Sequence, residues 1–194
     1  MVSRQVKMQE NRAKLIAAAR RAFSKKGFAN ASMDELTAEA GLTRGALYHN
    51  FGDKLGLLAA VVEEIDSTMA AKAQAVGALE NDPWKGLLAE GAAYIEMALD
   101  PEVQRIVLLD GPAFLGDPSQ WPSQDSCLLA TRQTVETLVA DGVVKPLNVD
   151  AMSRLLNGAA LNAALWVAAS TSPARALPDA VAAFRELASG LLND

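Results

Sequence analysis

The chain has 194 residues, 51% of them apolar and only 5% aromatic, with one His, one Cys and a net charge of −5. That length supports a sizeable core in one or two domains, and a charged fraction of 21% excludes a disordered polyelectrolyte. A single thiol excludes an internal disulfide and a cysteine-built metal site, while abundant Ala and Leu with few β-branched runs predict an all-α fold. Cys127 itself reads as a small buried hydrophobe.

The charge is divided unevenly. Up to Lys54 the chain carries ten Lys/Arg against five Asp/Glu; beyond it the balance is eight against eighteen. The first predicted helix covers residues 11–26, with Leu15, Ile16, Ala19, Ala22 and Phe23 on one face. Lys14, Arg20, Arg21 and Lys25 lie mostly off that face, and Gly27 can end the helix in the left-handed conformation. Ser32 and Glu35 have the capping-box spacing for a second helix, with Leu36 and Ala40 facing inward. Gly41 is expected to make a turn where a side chain would obstruct two approaching helices. Thr43 caps a third helix to about residue 50, anchored by Leu47 and Phe51. The third helix leaves Arg44, Gly45, Tyr48 and His49 on other faces. Asp53 is an N-cap for a long fourth helix over residues 54–78.

Further helices are predicted over residues 84–99 and 100–110. Residues 111–122 (GPAFLGDPSQWP) read as irregular or kinked. A seventh helix follows, to about residue 140. The eighth, over 151–169, is apolar on nearly all sides and so is expected to be buried on several faces. The ninth, over 178–192, places Val181, Phe184, Ala188 and Leu191 in near-heptad spacing. The most apolar stretch, 158–169, is broken by Asn162 and is shorter than the about 20 residues of a bilayer span. The N-terminus has charges but no apolar h-region, so no signal peptide is read. A cytoplasmic protein without membrane association is expected.

Two short helices joined by a tight turn, inside the only basic part of an acidic chain, point to a DNA backbone. Here the sequence resembles the tetracycline-repressor (TetR/AcrR) family of bacterial transcription regulators. The resemblance is carried by a basic first helix ending at Gly27-Phe28, by Ala40-Gly41-Leu42, and by Thr43-Arg44-Gly45-Ala46-Leu47-Tyr48-His49 with Phe51 and Lys54. Thr37 departs from the small alanine usual there, and Leu55-Gly56 stand where an acidic residue is common. The resemblance implies a nine-helix protein. Residues 1–53 would be a three-helix helix-turn-helix DNA-binding domain, and 54–194 a helical ligand-binding and dimerisation domain.

A recognition helix reads base edges near its N-terminus, which assigns Thr43, Arg44 and Gly45 to the bases. Arg44 can give two parallel hydrogen bonds to guanine. Tyr48, His49, Ser32 and Lys54 are assigned to phosphates, Lys54 at a helix start that also favours an anion. The family implies a small-molecule pocket within the fourth to eighth helices, for which Tyr94, Phe114, Trp121, Asn162 and Trp166 are the candidates, with 111–122 as a rim. The last two helices would form a homodimer, so that two reading heads meet a palindromic operator in double-stranded DNA. Repression relieved by an inducer is the family default. No cofactor is expected, and neither GxSxG, P-loop, GxGxxG nor HExxH is present to suggest catalysis. The alternatives are a constitutive DNA-binding dimer without ligand response and a small all-α enzyme using a carboxylate pair.

Overall fold

Helix α1 spans Arg4–Lys26 and so begins well before residue 11. Residues 5–10 are exposed on every side. Gln, Lys, Met and Glu are strong helix formers, so this part needs no apolar stripe and leaves no periodic signal. The computed structural model describes residues 4–193; residues 1–3 and 194, at the ends of the two expected domains, lie outside the described residues. Among the described residues there are nine α-helices, and the only β pairing is an isolated bridge between Val144 and Leu192. Among the described residues, no helix is long and apolar enough to cross a membrane.

The chain forms two compact units, Met1–Ile65 with Pro101–Asp117, and Asp66–Asp100 with Pro118–Asp194. In the first unit, α1 buries Leu15, Ala18, Ala19 and Phe23 completely. Gly27 follows with φ +76°, and the Arg105 guanidinium fills the space a Cβ would take. The backbone N–H of Phe28 donates to the buried Asp110 carboxylate at 2.7 Å. Helix α2 (Met33–Glu39) starts at Ser32, whose hydroxyl accepts from Glu35 N–H at 3.1 Å. Thr37 is buried, and its hydroxyl donates to the Met33 carbonyl at 2.9 Å. The hydroxyl is therefore satisfied within its own helix.

Gly41 does make the turn, but for a different reason from the one expected. A Cβ there would meet nothing within 4 Å; the requirement is φ +65°. Helix α3 (Arg44–Phe51) is capped by Thr43, which accepts from Ala46 N–H at 3.2 Å. Helix α4 (Lys54–Gly77) is capped by Asp53, which accepts from Gly56 N–H at 2.7 Å. A Cβ at Gly56 would lie 2.0 Å from the Phe51 carbonyl oxygen, which explains why no acidic side chain stands there.

The segment predicted as a helix to residue 110 and irregular thereafter is helical further on. A π-helix covers Val103–Asp110 and leads directly into α6 (Gly111–Leu115). Pro112 falls in the first turn of α6, where a missing N–H is tolerated. The break comes at Gly116, φ +83°.

In the second unit, α5 (Pro83–Glu96) is capped by Asp82, and a 3-10 turn over Met97–Leu99 extends it. Its backbone crosses the end of α4 at Gly77 and Gly86: a Cβ on either would lie within 3 Å of the other's carbonyl oxygen. A 3-10 turn at Pro118–Gln120 precedes α7 (Pro122–Ala140), and α8 (Val149–Ala169) is capped by Asn148. Helix α9 spans Pro173–Ser189, starting earlier than residue 178 and carrying Pro178 inside it. Pro173 takes the first-turn position that favours proline. Pro178 deprives Ala174 of a partner, but both residues are exposed, so water can serve that carbonyl. The core gathers Trp84, Leu87, Val135, Leu138, Met152, Leu156 and Ala188.

Helix α8 is buried on several faces as expected, against α5, α7 and α9, while Leu155, Asn162 and Trp166 are exposed on a further face. On α9, Phe184 and Ala188 of the heptad-like stripe are buried inside the protomer, and Leu187 points outward.

Candidate nucleic-acid interface and inner cavity

The exposed surface of α3 carries Thr43, Arg44, Gly45, Tyr48 and His49, all solvent-facing around the buried anchor Leu47. Ser32 is exposed at the start of α2. The Ser32 and Thr43 hydroxyls each accept a backbone N–H, so each still has a proton to donate to a phosphate. Tyr48 is 51% exposed; its ring does not close over the core.

Arg44 is already engaged. Its Nε and Nη2 both donate to the Asp34 carboxylate on α2, in a two-pronged ion pair at the surface. The guanidinium holds the Asp34 carboxyl below the usual carboxylate range, and Asp34 raises Arg44 in return. Asp34 was invisible in the sequence as a partner, because an acid in a first helical turn reads as an ordinary dipole complement.

The surrounding basic block is largely self-neutralised. Arg20 is held by Glu102 and Glu64, the shortest contact 2.6 Å. Arg21 pairs with Glu39 at 2.5 Å and Lys26 with Glu35 at 2.9 Å. Lys26, then the Ser32 N–H, lowers the Glu35 carboxyl. Lys54 stands 4.5 Å over the Phe28 ring, donates to the Ala29 carbonyl at 3.4 Å, and is lowered by burial. Arg12 lies 4.7 Å over Phe51. Lys7, Lys14 and Lys25 have no acidic partner among the described residues.

The second unit holds a partly open cavity of about 60 Å³ bounded by α4, α5, α7, α8 and α9. Its polar wall is Glu90, Tyr94, Gln124, Cys127, Thr131 and Asn157. Behind it sits Asp66, fully buried, accepting from Tyr94 Oη (3.1 Å), Ser123 Oγ (2.6 Å) and Gln124 Nε2 (2.9 Å). Burial, then Asp66, pushes the Tyr94 hydroxyl far up. Burial, then Asp66 and Glu90, pushes the Cys127 thiol up to about 11. Burial also raises Glu90.

Of the five residues predicted for a pocket, Tyr94 alone lines this cavity. Phe114 belongs to the first unit and stacks on Phe28, ring centroids 4.6 Å apart. Trp121 is buried at the start of α7, with its Nε1 lacking a partner among the described residues. Asn162 lies in the outer groove between α8 and α9, and Trp166 is 52% exposed. Sequence reasoning missed Asp66, Glu90 and Phe184 as wall or support. Asp66 did leave a signal: with Val62, Met69 and Ala73 it occupies the buried stripe of α4. Tyr and Trp drew attention because aromatic residues commonly line pockets.

Residues 15–61 match the family model for bacterial regulatory proteins, tetR family, and residues 84–191 that for the tetracyclin repressor-like C-terminal domain. A TetR-family transcriptional regulator from Pectobacterium atrosepticum is 46% identical, with a TM-score of 0.89 over 99% of this chain and 98% of that one. The HTH-type transcriptional regulator TtgR of Pseudomonas putida is 35% identical over 50% of this chain and 48% of its own. The HTH-type transcriptional repressor AcnR of Corynebacterium glutamicum is 30% identical over 63% and 62%. The matched stretch thus spans about half the length of TtgR. Both domain matches, the near-complete structural overlap and the exposed reading head agree, and the chain belongs to the TetR family of DNA-binding transcriptional regulators.

Proposed function

We propose that this chain is a cytoplasmic repressor, dimeric on a palindromic operator and released from it by a small molecule held in the cavity of the second unit. Residues 1–53 are assigned the reading of DNA and 54–194 the effector and the second copy. The observation that carries the ligand response is the cavity itself: a mainly apolar, partly open space with convergent polar groups, on the same chain as an exposed recognition helix. Thr43, Arg44 and Gly45 are assigned to base edges; Ser32, Tyr48, His49 and Lys54 to phosphates. Two such heads span half-sites about 34–36 Å apart. The outer faces of α8 and α9 are the assigned dimer contact, because they leave Leu155 74% and Leu187 68% exposed, with Trp166 also exposed on α8.

For release, the effector must bind the DNA-incompetent conformation more tightly. The test is a titration against DNA from upstream of the chain's own gene, with random competitor, at two salt concentrations. Competitor-resistant binding supports operator recognition, and its loss on adding an effector supports the switch. Tight binding that no cavity ligand relieves would instead favour a constitutive DNA-binding dimer.

A further inference from the structure

We propose, on the reading that the inner cavity holds the effector, that this effector is a small lipophilic cation: a protonated amine carried on an apolar body. The hydrogen-bonding groups of the wall are the first reason. The Tyr94 hydroxyl and the Gln124 amide spend protons on Asp66, and the Thr131 hydroxyl donates to Asn157 Oδ1 at 2.8 Å. The Glu90 carboxylate lines the same cavity with no hydrogen-bond or ion-pair partner among the described residues. No Lys, Arg or His lines it. Donors remain on the Asn157 and Gln124 amides and the Cys127 thiol, but the strongest hydrogen-bonding group of the wall is an acceptor, the Glu90 carboxylate.

The electrostatics agree. A half-buried carboxylate without a partner is a desolvated charge awaiting compensation. Asp66 adds a second carboxyl group whose three partners are all neutral donors. Both Asp66 and Glu90 act on the Cys127 thiol in the same sense, so the two fields converge on the cavity. An anionic ligand would meet them with nothing to offset the repulsion. A ligand N⁺–H would complete Glu90 with a charge-assisted hydrogen bond.

The remaining wall explains the apolar body. Leu87, Leu156, Leu161, Ala73 and Phe184 surround the polar groups. The present volume, about 60 Å³, holds water-sized occupants, so a ring needs more room. That room lies behind Phe184, whose ring packs where a Cβ on Gly91 would stand 2.3 Å away. A side chain, rather than backbone, closes this side.

The test uses three probes of one shape on the full chain: benzylamine, benzyl alcohol and benzoate, titrated near neutral pH at fixed ionic strength by calorimetry or ligand-observed NMR. Wild type should bind benzylamine more tightly than benzyl alcohol by roughly tenfold or more, the usual strength of a hydrogen bond to a charged group, and should not bind benzoate. Glu90→Gln should erase that preference with far-ultraviolet circular dichroism unchanged, while Glu90→Asp, which keeps the charge, should retain it. Equal binding of amine and alcohol, binding of benzoate, or a preference that survives Glu90→Gln overturns the cationic assignment and leaves an effector cavity of neutral chemistry. Failure of all three probes to bind at millimolar concentration overturns the effector site as well.

Discussion

Arg44, the residue proposed to read base edges, is held by Asp34. The ion pair is solvent-exposed, so it adds little to folding, but it occupies the same two donor groups that the proposed guanine contact needs. Arg44→Ala should therefore weaken specific binding by roughly ten- to a hundredfold, the discrimination of one bidentate base contact, and random DNA much less. Competition titrations against operator and random fragments measure both. Asp34→Asn should act in the opposite sense on random DNA, strengthening it as a carboxylate leaves the interface and narrowing the ratio of specific to random binding. Equal loss on both DNAs for Arg44→Ala would remove Arg44 from base reading. Cys127 supplies a pH test: with its thiol raised to about 11 by burial, alkylation by iodoacetamide should be slow at pH 8 and accelerate only as pH approaches that value. The sign follows from folding favouring the neutral thiol; stability is unaffected below the ordinary thiol range and falls as pH rises from there toward 11. At this scale the sequence was legible where partners are near neighbours. Ser32 and Thr43 cap helices three residues away, whereas Asp34 with Arg44, or Asp66 with Ser123, depends on how helices pack.

Helices announced themselves where a cap or an apolar stripe marks their ends. Asp53, Asp82 and Asn148 each accept an N–H at the start of a helix; the first was read as a cap, while the start at Val149 was expected two residues later, at 151. The misplaced boundaries share a cause: exposed or proline-bearing turns that packing or hydration tolerates. The first turns of α1 have no stripe, Pro178 sits inside α9, and Pro112 sits at the start of α6. A π-helix leaves no period distinct enough to read. The two glycine turns of the reading head make a quantitative comparison. Gly41→Ala meets only the left-handed backbone, about 1 kcal/mol. Gly27→Ala meets that and the Arg105 guanidinium, so it should lose about 2–3 kcal/mol. Urea unfolding midpoints of the two variants should differ in that order; equal midpoints would mean that Arg105 yields freely.

For the whole molecule, the class of fold was legible because composition and charge division need no packing detail. The cavity was not, since its wall is assembled from five helices and only Tyr94 was read in advance. The proposed dimer face was half legible: the apolar character of α8 was plain, but which side it turns outward depends on where Phe184 and Ala188 of α9 already pack. Leu155→Glu should convert the proposed dimer to monomers in sedimentation experiments while leaving helicity intact. Phe184, with Leu156, lines both the inner cavity and the outer groove of α8 and α9. One ring is thus a partition with an occupant proposed on either side. Moving it for one occupant alters the seat of the other, so the two equilibria must share a coupling free energy of equal size in both directions. A diluted sample would then show a different effector affinity from a concentrated one, and the factor between them would equal the factor by which the effector changes self-association.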